Sequence, residues 1–409
     1  MANKQSATMA PSLIDLPPNI IMEILVRLPL RTLFLSRSVC KTFLTLTSPN
    51  PHFIDLHSSN AAQILLLQRG GANNPSHILS LAEPELDLRS GLYFSPKPLF
   101  QLPKMGTSVS LYRTNLREPN NFVLTNSCNG LIYLVRRYAR DEHSLVCNPV
   151  TNEYLLIPEV DGELGLKTET KSMWLGFSPG TNQYKVMRIS RSLINFEFAA
   201  QVFVIGPDSW RSIEAVAAPL GAEHSWDLYP IFLNGFMYWL DKSWNGILFF
   251  DYEKEIFGDV ELPSEFGEEQ LRNEQSMSIG VLRGCLCLCF NNFNAQHVDF
   301  WVIKKNGNRE SWSKDFVVDL VRPVDKPALG RFKPLQVLRS GEIVMLWVEN
   351  DVICYNPRTK RLKFIGFRWV RSMPIIDVAF TPSFVPLKDT LQVEEVMNRH
   401  MRPRYTVHC

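Results

Sequence analysis

Near the start of the chain, hydrophobic residues recur with the spacing of an α-helix. Ile20, Ile24 and Leu28 follow one another at intervals of four residues, and Leu25 widens the same stripe. Such a stripe is typical of a helix that packs one face against other apolar groups. Pro29 should end this helix, because a proline ring clashes with the backbone one turn earlier. The pattern therefore predicts a first helix that stops just before Pro29.

Two more short helices are predicted in the residues that follow. Leu33 carries the apolar face of the second helix, and Phe43 and Leu46 carry that of the third, which stops at the Ser-Pro-Asn-Pro sequence of 48–51. More than half of residues 13–46 are hydrophobic, yet a helical segment this short rarely supports a core of its own. We expect another surface to cover it. That surface is either a partner protein or a larger domain of this chain, for which the helices would form an N-terminal cap.

Beyond residue 58 the pattern becomes that of β-strands. Short apolar runs alternate with turns rich in Gly, Asn, Asp and Pro. Four segments repeat one design, in which a glycine turn leads into an apolar strand; they are 129–134, 234–239, 283–288 and 340–345. Asn-Gly favours the positive φ angles of tight hairpin turns, so each of these turns should join two strands.

The spacing of these repeats favours a propeller. Gly130, Gly235, Gly284 and Gly341 are separated as expected for a unit of about fifty residues, the size of a four-stranded blade, if the first interval holds two units. A single blade cannot bury both of its faces, whereas a closed ring of blades can. We therefore predict an α+β multidomain protein in which a small three-helix module precedes an all-β propeller of about six blades. A β-sandwich is the main alternative.

The N-terminal segment resembles the F-box motif in both the order and the spacing of its residues. The matching residues are Leu16-Pro17, Ile24-Leu25, Arg27-Leu28-Pro29, Leu33 and Ser38-Val39-Cys40-Lys41. Phe43 stands where that family usually has Trp. Because an aromatic ring is kept at this position, we expect the packing there to survive.

The β-rich region resembles the F-box-associated propeller domain that follows F-boxes in a large plant family. Its most specific segment is 174–189, WLGFSPGTNQYKVMRI, which is similar to a strand–turn–strand signature whose second strand opens with Tyr-Lys-Val. Segments 126–131 and 146–151 resemble the opening blade, and 202–211 resembles the next pair of strands. The turn Ser-Pro-Gly replaces a more usual aromatic-plus-aspartate turn. The similarity extends over residues 120–370.

These patterns divide the chain into four parts. Residues 1–10 lack the apolar run of a signal peptide and should be disordered. Residues 11–55 form the F-box, and 56–385 form the propeller. Residues 386–409 are a C-terminal tail in which 391–401 has the pattern of a short amphipathic helix.

The resemblance implies a non-catalytic interaction protein. Its F-box would dock on the Skp-type linker of a Skp–cullin–F-box ubiquitin ligase, which brings cullin and RING subunits. The propeller would bind a target, expected to be a protein, for ubiquitination. The residues that the resemblance assigns to apolar contact with the linker are Leu16, Pro17, Ile20, Ile24, Leu28, Pro29, Leu33, Val39 and Cys40, with Lys41 at the polar rim.

The sequence offers only weak candidates for target binding. Propellers usually bind partners through the loops between strands. Trp226, Tyr229 and Trp244 lie in such loops, and aromatic residues are favoured anchors of interfaces. The same residue types also pack blades together, so both interpretations remain open.

An enzymatic propeller, a hydrolase or oxidase with a helical cap, is the alternative function. Residues 176–180 fit G-x-S-x-G, the nucleophile elbow of α/β-hydrolases. That elbow must join a strand to a helix, whereas the residues after Thr181 alternate like a strand. We therefore predict a hairpin turn at this position. No convergent set of acids, bases or metal ligands is evident in the sequence.

Three cysteines, Cys285, Cys287 and Cys289, alternate with leucines. On a strand their thiols would face one way, with neighbours roughly 6–7 Å apart. Zinc ligands usually come from turns at C-x-x-C spacing, where four donors can converge. Free cysteine also behaves as a small buried hydrophobe. Core packing is therefore favoured, and we expect neither a metal nor a cofactor.

Composition narrows the possible partners and the compartment. Lys and Arg number 43 against 41 Asp and Glu, a net charge of +2, which argues against the basic stripe of a nucleic-acid binder. No apolar run is long enough to span a bilayer, so no membrane association is expected. Eight cysteines without a disulfide-type spacing fit a reducing compartment, either cytosol or nucleus.

Overall fold

The computed structural model shows a helical module followed by β-sheets. It describes residues 13–47, 50–61, 63–69, 78–82, 84–87, 91–94, 97–101, 122–136, 144–160, 168–207, 209–213, 230–240, 246–266, 277–292, 295–306, 309–319, 332–338, 340–347, 351–365, 375–394 and 396–398. The helical module consists of a 3-10 helix, Leu13–Asp15, and the α-helices α1 (Pro18–Leu25), α2 (Leu30–Ser36), α3 (Lys41–Thr47) and α4 (Pro51–Asn60).

The three predicted helices are confirmed, and α4 is an addition. The Ser-Pro-Asn-Pro segment separates α3 from α4 rather than ending the helical module. The side-chain oxygen of Asn50 accepts hydrogen bonds from the backbone N–H groups of His52 and Phe53, at 3.1 and 3.4 Å. Pro51 occupies the first turn, where a missing N–H costs nothing. The helical module therefore extends to Asn60, so α4 continues past the end of the segment 11–55 predicted as the F-box.

The strands follow in chain order. The first half contains β1 (Ile64–Arg69), β2 (Ile78–Ala82), β3 (Pro84–Asp87), β4 (Gly91–Phe94), β5 (Lys97–Gln101), β6 (Phe122–Cys128), β7 (Leu131–Arg136), β8 (Ser144–Asn148), β9 (Glu153–Ile157), β10 (Thr168–Ser178), β11 (Gln183–Ser192), β12 (Phe198–Val204) and β13 (Ser209–Ile213). The second half contains β14 (Ile231–Leu233), β15 (Phe236–Leu240), β16 (Ile247–Asp251), β17 (Ile256–Val260), β18 (Met277–Leu282), β19 (Cys285–Asn292), β20 (His297–Asn306), β21 (Arg309–Asp319), β22 (Phe332–Val337), β23 (Ile343–Trp347), β24 (Asp351–Asn356), β25 (Arg361–Ile365), β26 (Ile375–Phe380), the helix α5 (Leu387–Leu391) and β27 (Met397–Asn398).

The sheets form a six-bladed propeller, which confirms the predicted fold class. Blade 1 contains β6 to β9, blade 2 β10 to β13, blade 3 β14 to β17, blade 4 β18 to β21 and blade 5 β22 to β25. Blade 6 has the strand order β26-β1-β2-β5, so the end of the chain joins its beginning in one sheet. This pairing runs from Ile64 opposite Phe380 to Arg69 opposite Ile375. The ring is thus closed by hydrogen bonds rather than by a covalent turn.

The glycine turns have the predicted backbone conformation. Asn129 and Gly130 have φ angles of 48° and 83°, and Asn234 and Gly235 have 51° and 88°. Two consecutive positive φ angles define the hairpin turn that matches the twist of its flanking strands. In the C-terminal tail, the short helix is α5, earlier than the predicted 391–401, because Gln392 adopts a left-handed conformation that ends it.

The core of the ring lies between the blades. The described residues contain six clusters of buried apolar side chains, and each cluster joins one pair of neighbouring blades. The cluster between blades 6 and 1 also contains the buried residues of the helical module. The helices therefore share a core with the ring instead of forming a separate body.

Polar side chains join neighbouring blades where their backbones do not pair. The amide of Asn126 on β6 accepts from the Leu175 N–H at 3.0 Å and donates to the Leu175 carbonyl at 2.7 Å. Gln68 on β1 does the same across the next boundary, accepting from the Leu124 N–H at 2.8 Å and donating to the Phe122 carbonyl at 2.6 Å. Each amide thus imitates a peptide group of an adjacent strand, which satisfies buried groups that would otherwise be costly.

The Tyr-Lys-Val segment of β11 has a similar role. Lys185 is buried, and its Nζ donates to the Tyr252 carbonyl and to Glu255 Oε1, each at 2.8 Å. Arg211 pairs with the second oxygen of Glu255. These two cations lower the pKa of the Glu255 carboxyl against the opposing effect of burial. Lys185 therefore ties blade 2 to blade 3.

The ring has two different ends. Consecutive strands of a blade run in opposite directions, so the connections between first and second strands and between third and fourth strands share one end, the turn end. The connections between second and third strands, and from one blade to the next, share the other end, the loop end. At the turn end, the Gly180 N–H of the β10–β11 turn donates to Glu253 Oε2 of the β16–β17 turn at 3.2 Å.

The helical module lies at the turn end, because β1 begins there and β26 ends there. After β26, residues 381–386 cross the turns of blade 1, where Asn148 Nδ2 donates to the carbonyls of Ser383 and Val385 at 3.0 Å each. Phe384 then packs against Phe53 and His57, with ring centroids 5.6 and 4.7 Å apart. The helices are thereby fixed on the ring from both the N-terminal and the C-terminal segments.

Candidate functional site: an apolar docking surface

Helix α1 divides its apolar residues between the core and solvent. Ile21 and Leu25 are each 1% exposed and lie one turn apart in the core. Ile20 and Ile24 form the neighbouring stripe of the same helix, where Ile20 is 42% exposed and Ile24 is half-buried. A helix that is apolar on two adjacent stripes buries only one of them against its own core. The second stripe faces outward.

Helices α2 and α3 repeat this division. Leu33 on α2 is fully buried, whereas Leu35 is 42% exposed. On α3, Phe43 is buried and Leu44 is exposed. The aromatic ring of Phe43 is part of the core, which confirms that packing is kept at the position where the F-box family usually has Trp.

The turn between α2 and α3 presents Val39. Its side chain is 72% exposed, more than any other large hydrophobic residue in the described part of the chain. The turn is held by hydrogen bonds from the Ser38 N–H to the Leu35 carbonyl and from the Val39 N–H to the Ser36 carbonyl, each 3.0 Å long. Val39 is therefore fixed in an exposed position by the backbone around it.

Together these residues form what we call the docking surface. It consists of the exposed large hydrophobic residues of the helical module, Leu13, Ile14, Leu16, Ile20, Leu35, Val39 and Leu44. Within the described ranges, only four other large hydrophobic residues are exposed, and all four lie on the ring. Concentrated exposed apolar groups mark sites of protein–protein contact. The exposed apolar residues of the helical module are therefore a candidate site of protein–protein contact.

The predicted contact residues fall into three groups. Leu16, Pro17, Ile20, Pro29, Val39 and Lys41 are exposed, and Ile24, Leu28 and Cys40 are half-buried. Cys40 also accepts a hydrogen bond at its Sγ from the Phe43 N–H, at 3.5 Å, at the start of α3. Leu33 differs from the prediction, because its side chain is fully buried and cannot reach a partner. It supports the docking surface from beneath.

Four residues of the docking surface were absent from the sequence prediction. Leu13 and Ile14 lie in the 3-10 helix that precedes Leu16, and Leu35 and Leu44 lie on α2 and α3. Each is an apolar residue left over after the core stripe has been assigned. Leu35 follows Leu33 by two positions, which puts it on another side of the helix. This offset shows from the sequence that Leu33 and Leu35 lie on different sides of α2, but not which of the two is buried.

Charged residues surround the apolar positions. Arg27 pairs with Glu23 one helical turn away, and Lys41 is exposed at the start of α3.

On the ring side of the module, burial lowers the pKa of His57 to about 4. Its Nδ1 is buried and has no hydrogen-bond partner in the described structure. His57 is therefore a neutral residue through which α4 packs against Phe384.

The cysteine prediction for the ring is confirmed. Cys285, Cys287 and Cys289 all belong to the cluster between blades 4 and 5, and burial raises the pKa of the Cys289 thiol. No group of three or more His, Cys, Asp or Glu side chains within the described ranges is arranged to hold a metal ion. The burial of Cys287 and Cys289, with Cys285 half-buried beside them, places the three thiols in the core.

The nucleophile-elbow interpretation is excluded by the strand that follows. Ser178 ends β10, and the turn at Pro179 and Gly180 leads directly into β11, which pairs with β10 from Gln183 onward. The hydroxyl of Ser178 accepts a hydrogen bond from the Thr181 hydroxyl at 2.9 Å. Without a helix after Ser178, no elbow forms, as predicted.

The target-binding candidates Trp226, Tyr229 and Trp244 lie outside the described residues. Among the helices in the described part of the chain, none combines the length and the hydropathy needed to cross a bilayer.

Two family models match the chain. The F-box domain matches residues 13–53, and the F-box associated beta propeller domain matches residues 90–381. The F-box protein CPR1 of Arabidopsis thaliana is 25% identical over 382 residues, which covers 86% of this chain and 84% of that protein. An F-box/kelch-repeat protein of Arabidopsis thaliana is 24% identical over 358 residues, covering 86% of this chain and 90% of the relative.

Solved structures show only a distant likeness. Apo AztD from Citrobacter koseri is 9% identical with a TM-score of 0.33, covering 76% of this chain and 71% of AztD. A similarity at this level carries no argument about function.

Proposed function

The chain belongs to the family of F-box proteins with an F-box associated beta propeller domain, and from this premise we propose that it is a substrate-recognition adaptor of a Skp–cullin–F-box ubiquitin ligase. The helical module binds a Skp-type linker protein, which connects it to the cullin and RING subunits. The ring binds a protein target. The chemistry of ubiquitin transfer belongs to the recruited conjugating enzyme, and this chain contributes proximity.

The docking surface is the observation that carries this proposal. Seven large hydrophobic side chains are exposed on a module whose remaining apolar residues are well packed. Leaving these side chains in water is unfavourable. A partner that removes them from water contributes a binding free energy of about 25 cal/mol per Å² of apolar area buried. A linker protein that covers these side chains would therefore gain affinity from their burial.

The junction between module and ring supports the same role. Phe384 packs against α4, and Ser383 and Val385 are bonded to Asn148 on blade 1. The docking surface is thereby held at a set position relative to the ring. A rigid connection keeps a bound target near the recruited enzyme, which raises the effective concentration of target lysines at the reactive thioester.

The test is binding of the purified full-length chain to a purified Skp-type linker, measured by calorimetry. Val39→Lys should weaken binding about a hundredfold, because a charge would have to be buried in an apolar contact. The matched control is Ile256→Lys, since Ile256 is 48% exposed on blade 3, whereas the module packs against blades 6 and 1. It should bind as the intact chain does, and both variants should keep the melting temperature of the intact chain.

The proposal fails if the intact chain does not bind the linker. It also fails if Val39→Lys and Ile256→Lys bind equally well, since the docking surface would then not be the contact.

An adaptor of this kind works in the cytosol or the nucleus, and we propose that location. Imaging of a fluorescent fusion of the full-length chain tests it.

A further inference from the structure

The hairpin tip between β11 and β12, residues 193–197, lies at the loop end of the ring. β11 and β12 are the second and third strands of blade 2, so their connection is on the opposite end from the helical module. A partner bound at this tip does not compete with one bound at the docking surface.

The tip exposes three large hydrophobic side chains. Leu193 is 54% exposed, Ile194 67% and Phe196 60%. Outside the helical module, Ile256 is the one other large hydrophobic residue exposed within the described ranges, and it begins β17 at the turn end. The tip is thus the single concentration of exposed apolar side chains that the described part of the ring offers.

Hydrogen bonds hold the tip in one conformation. The Ser192 hydroxyl accepts from the backbone N–H groups of Ile194 and Asn195, at 3.2 and 3.3 Å. The Ser192 N–H donates to the Glu197 carbonyl at 2.7 Å, which closes the loop. Phe196 is held at a φ of 60°, a conformation that bulky residues rarely adopt. An ordered tip loses little conformational entropy when it binds.

The charges around the tip balance. Arg191 lies over the rings of Phe196 and Phe198, with its guanidinium carbon 4.9 and 5.7 Å from their centroids. Glu197 accepts a hydrogen bond from the Asn195 amide. Among the charged side chains that the structure describes at the tip, one cation and one anion leave it close to neutral. Attraction to an anionic lipid surface requires a cluster of basic residues instead.

We propose that this tip inserts Leu193, Ile194 and Phe196 into an apolar groove on the folded protein that the ring captures as its target. This inference rests on the proposed adaptor function and adds the contact by which the target is held. The tip is convex and apolar, so its complement is a concave apolar surface. Arg is one of the residue types that dominate binding energy at such contacts, and Phe is enriched in the cores of interfaces.

The test begins with a photo-crosslinking amino acid placed at position 194, or at position 256 as control, in the full-length chain expressed in plant cells. A protein that crosslinks from 194 and not from 256 is then purified. Its affinity is measured for the intact chain, for Ile194→Asn and for Ile256→Asn. We expect Ile194→Asn to weaken binding about tenfold or more, and Ile256→Asn to leave it unchanged. Leu193→Asn provides a second variant with the same expected effect.

The proposal is overturned if no other protein crosslinks from position 194, or if the purified protein binds Ile194→Asn as well as the intact chain. It is also overturned if position 194 crosslinks to a second copy of this chain. Binding to phosphatidylcholine–phosphatidylserine vesicles that Ile194→Asn abolishes would assign the tip to lipid and overturn it too. Binding to a Skp-type linker is measured in parallel. Failure of the intact chain there refutes the adaptor function, whereas failure at the tip alone refutes only this contact.

Discussion

The helical module and the ring use hydrophobic residues in opposite ways. In the ring, apolar side chains are buried in clusters between each pair of blades, and the last strand, β26, completes the blade that β1 begins. In the helical module, buried and exposed hydrophobic residues alternate along the same helices. The ring satisfies itself because every blade has a neighbour on both sides. The module has a neighbour on one side only, so apolar side chains stay exposed on its outer face.

The sharpest test of this comparison lies within α2. Leu33→Ala should lower the free energy of unfolding of the module by about 3 kcal/mol, because it leaves a cavity at a fully buried position. Leu35→Ala, two residues away and 42% exposed, should change it by less than about 0.5 kcal/mol. Denaturant unfolding of both variants measures the difference. Equal effects would mean that the two leucines do not face opposite environments.

Within the ring, the closeness of the blades is tested at Gly176. A Cβ at this position would lie 2.1 Å from Cε2 of the Tyr252 ring on blade 3. Gly176→Ala should therefore force the blades apart and cost about 2 kcal/mol or more. Gly246→Ala is the control, because the nearest atom to its Cβ would be 3.6 Å away. In thermal unfolding, Gly176→Ala should have a clearly lower melting temperature than Gly246→Ala. An unchanged melting temperature for Gly176→Ala would show that the contact between blades 2 and 3 is looser than described.

The polar bridges between blades are tested at Asn126. Asn126→Ala removes both hydrogen bonds to Leu175 and leaves a buried N–H and a buried carbonyl unpaired. We expect a loss of about 2 kcal/mol in the free energy of unfolding. Hydrogen exchange should show faster exchange at Leu175 while blade 4 is unaffected. Faster exchange throughout the ring would instead indicate that the bridge serves global rather than local stability.

The junction between the two regions is tested by pH. The pKa of His57 is about 4 in the folded chain and close to 6.5 when unfolded. The unfolded chain therefore binds the proton more readily, and stability should fall as pH drops from 6.5 towards 4. The loss should be about 1 kcal/mol by pH 5.5.

The control for this last prediction is His57→Phe, which keeps an aromatic ring against Phe384 and cannot titrate. Its unfolding curves at pH 7 and pH 5.5 should lie closer together than those of the intact chain. If the two proteins lose equal stability over this range, His57 is not the group responsible.

The sequence predicted the elements better than their environments. Spacing located α1 to α3, and the repeated glycine turns located the blades, because both signals are local. The burial of Leu33 and the exposure of Leu35 were not predicted, since both fit an apolar helix and only the position of the core decides between them. The pairing of β1 with β26 also leaves no local signal, because the two strands are more than three hundred residues apart. The bridging roles of Asn126 and Gln68 depend on the same distant placement.

Closure of the ring by β26 has a consequence for the order of synthesis. Ribosomes produce the docking surface first and the closing strand almost last. A chain that stops before Ile375 keeps the whole helical sequence but has an incomplete sixth blade. Such a truncated product would also lack Phe380 and Phe384, which belong to the core shared with the helical module, so it is expected to lose the support of the docking surface together with the closed ring. A nonsense mutation late in the reading frame is therefore expected to be as damaging as an early one.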